Sequence, residues 1–323
     1  MRSFTFTTTN AVVALVCLLC LLSARDLMLS GSAAPCQPIR PTSVELQAPP
    51  PQASQPVVAT QPGFSKAFAE SNGFFNDISD ADWDLQRFRY HKTDHKGDGT
   101  LSVKRDTLQS YYQNNWEPSF TCQHELRLGG MGDGPKWICD PHRIKGVKDC
   151  LIYSFGSNNE FDFEESVYNQ ISTECEIHTF DFLSLEQSFN KPSYVNYHAY
   201  GLGKQDRVFG AQMQNQEYTL PSIVKMLGHE GRSIEIFKID CEGCELEAGM
   251  VQSWLNAGVN LRQLQVEVHG QSPDPDSIAK LQTFFKAVTD AGHVIFHKEA
   301  NILAEGKCVE FAFLQLAPAF FVP

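Results

Sequence analysis

From Cys150 onward the chain alternates short apolar runs with stretches of helical periodicity, and this alternation limits the fold more than any other feature. Leu151–Phe155, Glu176–Phe180, Tyr194–His198, Ile234–Ile239 and Arg262–Val268 have the length and composition of buried strands. They end at Gly156, Asp181, the Ala199-Tyr200-Gly201 turn, Asp240 and His269. Helices are expected over Glu164–Ile171, Thr219–Leu227, Glu245–Leu255 and Asp276–Ala291. Gly228 follows the second of these as a C-cap, and Gly292 closes the fourth. The fourth carries Ile278, Leu281, Phe284, Phe285 and Val288 on one face. Strand–helix–strand repetition demands crossover connections and hence a mainly parallel sheet. His293–Phe296 and Cys308–Leu316 are joined by a loop too short for a crossover helix, so they must pair antiparallel. The expected fold is α/β, a Rossmann-like seven-stranded sheet, mostly parallel with a C-terminal antiparallel hairpin.

The N-terminal third reads differently. Asn10–Ala24 is an apolar run with Arg2 as the only charge before it. Its length suits a signal-peptide core better than a full span of about 20 residues. Residues 1–34 are therefore expected to be a cleaved signal peptide or an uncleaved type II signal anchor. Residues 35–63 are rich in Pro, Gln and Ser and should form an extended linker or stem. Residues 64–115 carry aromatic clusters and read as a helical lead-in, and 116–323 as the main domain. Asp94 and Asp98 stand in a stretch with some features of a calcium loop. Lys96 occupies a ligand position and Arg105 replaces the closing acid, so a polar turn is expected instead. Entry to the secretory pathway would place the chain in an ER or Golgi membrane or outside the cell. There at least one disulfide is expected among Cys122, Cys139, Cys150, Cys175 and Cys308. The membrane would be engaged only through the N-terminal segment.

Acids outnumber Lys and Arg by 38 to 26, and no basic stripe stands out, which argues against a nucleic-acid partner. Ligands of open parallel sheets bind outside the carboxyl ends of the strands, at the switch point between the first and fourth. Ser154 and Gly156 end the first strand, and a glycine there lets a ligand approach the backbone. A plain turn glycine is the alternative. Asp181 ends the second strand and can take ribose hydroxyls or cap a helix. Glu164 and Gly201 flank the same edge. The densest run is IEIFKIDCEGCELE, Ile234–Glu247, in which a strand delivers Lys238, Asp240, Glu242 and Glu245. Glu267 and His269 end the neighbouring strand. Such groups can orient a hydroxyl, take its proton or hold a divalent metal, and a structural Lys–Glu pair with a capping acid is the plainer reading. No complete metal-ligand set is assigned.

FKIDCEGCE resembles the K-I-D-x-E-G-x-E segment of FkbM-type methyltransferases. The set DGPKWICDP, CLIYSFGSNNEFDFEESV, CEIHTFD, YGLG, LQVEVHG, FHKEAN and CVEFAF resembles the methyltransferase-like protein twenty-four family, in order from about Cys122 to Leu316. The resemblance implies a SAM-dependent methyltransferase domain with S-adenosyl-L-methionine as cofactor. With that cofactor, the order of the strand ends puts Ser154, Gly156, Glu164, Asp181 and Gly201 on the cofactor side and Asp240, Glu242 and His269 on the acceptor side. A glycan or small-molecule hydroxyl is the expected acceptor. Two other functions compete. One is a non-catalytic secreted binding protein on the same fold, suggested by the missing G-x-G-x-x-G. The other is a thiol–disulfide oxidoreductase using Cys241 and Cys244, which the surrounding acids oppose by raising the thiol pKa.

Overall fold

The computed structural model describes residues 65–93, 108–132, 134–182, 191–210, 215–270, 274–305 and 307–323. The apolar N-terminal run, the linker and the Asp94–Arg105 turn lie outside them. The described residues belong to one compact unit, Thr60–Pro323.

Seven strands form the central sheet: β1 (Leu151–Phe155), β2 (Glu176–Phe180), β3 (Val195–His198), β4 (Ile236–Ile239), β5 (Gln263–His269), β6 (His293–Ala300) and β7 (Cys308–Gln315). Their spatial order is β6-β7-β5-β4-β1-β2-β3. The pairs β5/β4, β4/β1, β1/β2 and β2/β3 are parallel. Strand β7 inserts antiparallel between β5 and β6, which completes the expected mostly parallel sheet with its closing hairpin. The chain leaves β1 toward β2 on one side, while β4 lies on the other, so the switch point falls between β1 and β4. Every residue of β1 and of β4 is buried, which is why both read as mainly apolar runs, broken only by Ser154 and Lys238.

Helix Leu220–Leu227 begins where Thr219 accepts a hydrogen bond from the Ser222 amide and ends at Gly228 in the left-handed conformation. Helix Pro275–Asp290 is capped by Asp274 and buries Leu281, Phe284, Phe285 and Val288. Trp116 stacks on Phe285 with ring centroids 3.9 Å apart, so the lead-in joins the same core. Upstream, helices Lys66–Glu70, Asp80–Lys92 and Leu108–Asn114 form that lead-in. Trp83 is fully buried and donates its indole N–H to Glu70.

Two expected helices differ in detail. The one over Glu164–Ile171 starts at Asp162 and widens into a π-turn over Val167–Ile171. The one over Glu245–Leu255 is a 3-10 turn, Cys244–Leu246, followed by a helix at Met250–Leu255. Gly249 breaks it by taking a φ of 86°. An antiparallel hairpin, Glu125–Leu128 with Lys136–Cys139, was not expected from the sequence and packs on β5 and β7. Disulfides join Cys122 to Cys139, Cys150 to Cys175 and Cys241 to Cys244, while the Cys308 thiol is buried and outside any disulfide. Among the described residues no helix is long and apolar enough to cross a membrane.

Candidate functional site

The carboxyl ends of β1, β2, β4 and β5 open into a cleft of about 1310 Å³. That volume holds a nucleoside-sized ligand together with a second molecule. Gly156, Glu164, Asp181, Gly201, Asp240, Glu242 and His269 all line it. Ser154 does not. It sits within β1, fully buried, and its hydroxyl has no hydrogen-bond partner. It stands in register with Lys238, which does line the cleft, but its short side chain, one residue before the strand end, stays covered.

Gly156 has a φ of +79°, and a Cβ at this position would lie 1.7 Å from the Asp240 carbonyl oxygen. Only glycine fits where β1 and β4 converge. Its carbonyl accepts a hydrogen bond from Lys238 Nζ at 2.7 Å. The turn that follows is held from β2. Asp181 Oδ2 accepts from the Ser157 amide at 2.8 Å and the Asn158 amide at 2.7 Å. Asp181 thus shapes the turn at the cleft's edge. Glu164 is buried beside it and accepts from the Thr179 hydroxyl at 2.9 Å. Gly201 lies under the Phe182 ring, which a Cβ would meet at 2.3 Å.

Beside the Gly156 turn lies a buried ionic network. Lys136, from the hairpin, places Nζ 2.7 Å from Glu310 Oε1 and 3.2 Å from Asp240 Oδ2. Lys238 lies 3.8 Å from the same Asp240 oxygen. Burial opposes ionisation of Asp240, but the two lysines outweigh it and hold the carboxyl well below its usual range. Burial and the Asp240 charge push Glu267 upward, so the two carboxyls titrate as a pair in which Asp240 keeps the negative charge. Burial raises Glu310 to about 7 despite Lys136. Asn301 Nδ2 donates to Glu267 Oε1 at 2.8 Å.

Glu245 ties this network to the loop after β4. Its Oε1 accepts from the His269 amide at 2.7 Å and faces the His269 Nδ1 at 3.2 Å, and its Oε2 accepts from the Gly243 amide at 3.1 Å. Burial lowers the affinity of His269 for a proton, but Glu245, Glu267 and Glu242 outweigh burial and raise its pKa to about 9. The ordinary value of about 6.5 expected from the sequence therefore does not apply, and near neutrality the ring is an imidazolium rather than a ready base. The stability that His269 gains from these acids is full below its unfolded pKa of 6.5 and is lost as pH rises through about 9. Proton-detected titration of the His269 ring should give a midpoint near 9. Glu245→Gln should move it down toward 6.5. A midpoint near 6.5 in the unaltered chain would contradict this electrostatic picture.

The sequence marked Glu245 only as one acid of the run after β4, and Lys136, Asn301 and Glu310 were passed over as site members. Lys136 offered one signal: a lone cation ahead of the apolar Trp137-Ile138-Cys139. Cys241 and Cys244 line the cleft as a disulfide beside Glu245.

A family model described as a methyltransferase domain matches residues 65–315. The chain belongs to this methyltransferase-domain family. The match begins within the helical lead-in and ends on β7, so it covers the whole sheet. A search of curated proteins finds no match. Among solved structures, a fibrillarin pre-rRNA processing protein from Methanococcus jannaschii is similar at 12% identity. That alignment covers 60% of this chain and 83% of the other, with a TM-score of 0.34.

Proposed function

We propose that this methyltransferase-domain protein uses SAM to methylate a hydroxyl group on a glycan or small molecule in the secretory pathway. The observation that carries the reading is the glycine-only close approach of Gly156 to Asp240, which brings the ends of β1 and β4 together on the wall of the cleft at the switch point of the sheet. The residues present fit SAM. The Gly156 turn would take its methionine end and the Asp181 carboxylate its ribose, with Glu164 and Gly201 on the same wall. When bound, SAM supplies an electrophilic methyl group. The family model and the motif resemblance to methyltransferase-like protein twenty-four support this assignment.

The protein's own part is to orient a nucleophile about 3 Å from that methyl and accept its proton. Glu267 is suited to take the proton, because its raised pKa makes its carboxylate a stronger base than Asp240. Asp240, fixed as an anion by Lys136 and Lys238, orients the hydroxyl, and the His269 imidazolium balances the local negative charge. Glu242 lies at the mouth, largely exposed, 3.6 Å from His269. The wall is rich in acids, including Glu160, Asp162, Glu217 and Glu247, which repels polyanionic acceptors and suits neutral ones.

Asp240, Glu242 and His269 lie close enough together to hold a divalent ion. Two ammonium groups already compensate Asp240, so turnover is expected to be independent of added Mg²⁺ or Mn²⁺. The secretory setting rests on the apolar Asn10–Ala24 run and on three disulfides, which persist in oxidising compartments.

Transfer of labelled methyl from SAM to a panel of hydroxyl acceptors tests the proposal, with Asp181→Asn as the diagnostic variant. The amide oxygen of asparagine can still hold the Ser157 turn, while the charge facing the ribose is lost. SAM affinity should fall by about 1–3 kcal/mol. Unchanged affinity in a folded variant would remove Asp181 from the cofactor site.

A further inference from the structure

Toward the amino end of β2, away from the carboxyl ends that line the cleft, three side chains converge. Glu176 and His178 stand two residues apart on β2 and so share a face. His229 is brought to them by the left-handed Gly228 cap of helix Leu220–Leu227. Glu176 Oε1 lies 2.9 Å from His178 Nε2 and 3.3 Å from His229 Nε2. The three ligand atoms lie within 4.8 Å of one another.

We propose that Glu176, His178 and His229 form a site for a divalent transition-metal ion of the zinc type, separate from the cleft. Ligands about 2.0–2.1 Å from a tetrahedral zinc ion sit roughly 3.3 Å apart, which is close to the two distances from Glu176 Oε1 to the imidazole nitrogens. The ring nitrogens facing outward are already held. His229 Nδ1 meets the Tyr153 hydroxyl at 2.6 Å, and His178 Nδ1 meets His198 Nε2 at 2.9 Å. Such outer contacts fix the orientation of metal-binding imidazoles. Arg232 Nη1 donates to Glu176 Oε2 at 2.6 Å, which turns Oε1 inward. Its charge also weakens cation binding, so the site should exchange its ion rather than lock it. Burial favours the neutral form of both imidazoles, the form that ligates. His178 and His229 are buried while Glu176 is partly exposed, which gives an ion a route in and leaves a fourth position for water.

The test is titration of the chelator-treated full chain with Co²⁺. One equivalent should bind with the intense visible bands of a four-coordinate ion, and Zn²⁺ should displace it. His178→Gln and His229→Gln should each abolish the bands while cooperative thermal unfolding persists. Glu242→Gln, which alters the cleft cluster instead, should keep them. Should either histidine variant fail to fold, Tyr153→Phe remains informative. It spares all three ligands and should weaken Co²⁺ binding several-fold with the bands retained. Absence of such bands in the unaltered chain, their survival in the folded histidine variants, or unchanged Co²⁺ affinity in Tyr153→Phe would overturn the site. The cluster would then be a hydrogen-bond network only.

Discussion

Gly156→Ala is expected to abolish measurable SAM binding and to lower the melting temperature. The new methyl would lie 1.7 Å from the Asp240 carbonyl oxygen and 2.8 Å from its carbon, and both belong to backbone that a rotamer change cannot move. Strands β1 and β4 would have to part at the switch point, breaking the Lys238 hydrogen bond to the Gly156 carbonyl. A φ of +79° adds strain for any residue with a Cβ. Gly228→Ala is the matched control. Its φ is +70°, but an added Cβ meets nothing within 4 Å. It should cost only the left-handed penalty of about 1–2 kcal/mol and leave SAM affinity intact. Calorimetric SAM binding and thermal unfolding of both variants decide the matter. Equal effects would mean that conformation alone, and not the close approach to Asp240, makes glycine necessary at 156.

The second large effect concerns Lys136. Replacing it by methionine keeps the aliphatic stem but strands Glu310 and Asp240, with Glu267 close by, as buried carboxyls without their shared cation. Removing one partner of a buried ion pair costs about 3–5 kcal/mol. The carboxyls can escape that cost by binding protons. The deficit should therefore be larger at about pH 8 than at about pH 5, where protonation restores neutrality. Urea denaturation at both values measures this. A loss of stability that does not change with pH would indicate that Lys136 contributes through packing alone.

The strands were legible because a parallel sheet covered on both faces demands mainly apolar runs, and β1, apolar but for Ser154, is an example. The positions of Gly156, Asp181, Asp240 and His269 followed from the ends of those runs. The hairpin was hidden because its strands have four residues each and the first is mostly half-exposed, so neither period nor apolar content marks it. Burial of Lys136 depends on Glu310, which is 174 residues away in the chain, and no local pattern encodes such a pairing. Glu245 read as the first residue of a helix. Its role as a bridge to His269 became visible only when β4 and β5 lay side by side. The same bridge explains why His269 departs from the ordinary imidazole value. Ser154 stands one residue before the end of β1 and is buried out of the cleft, although its strand partner Lys238 reaches it.

Calorimetric titration of the full chain with SAM, and separately with its demethylated product, tests the central claim most directly. The account predicts saturable binding of both at a single site, with SAM affinity weakened in Asp181→Asn and lost in Gly156→Ala. A folded chain that takes up neither molecule, with cooperative unfolding intact, would contradict the assignment of the switch-point cleft as a SAM site.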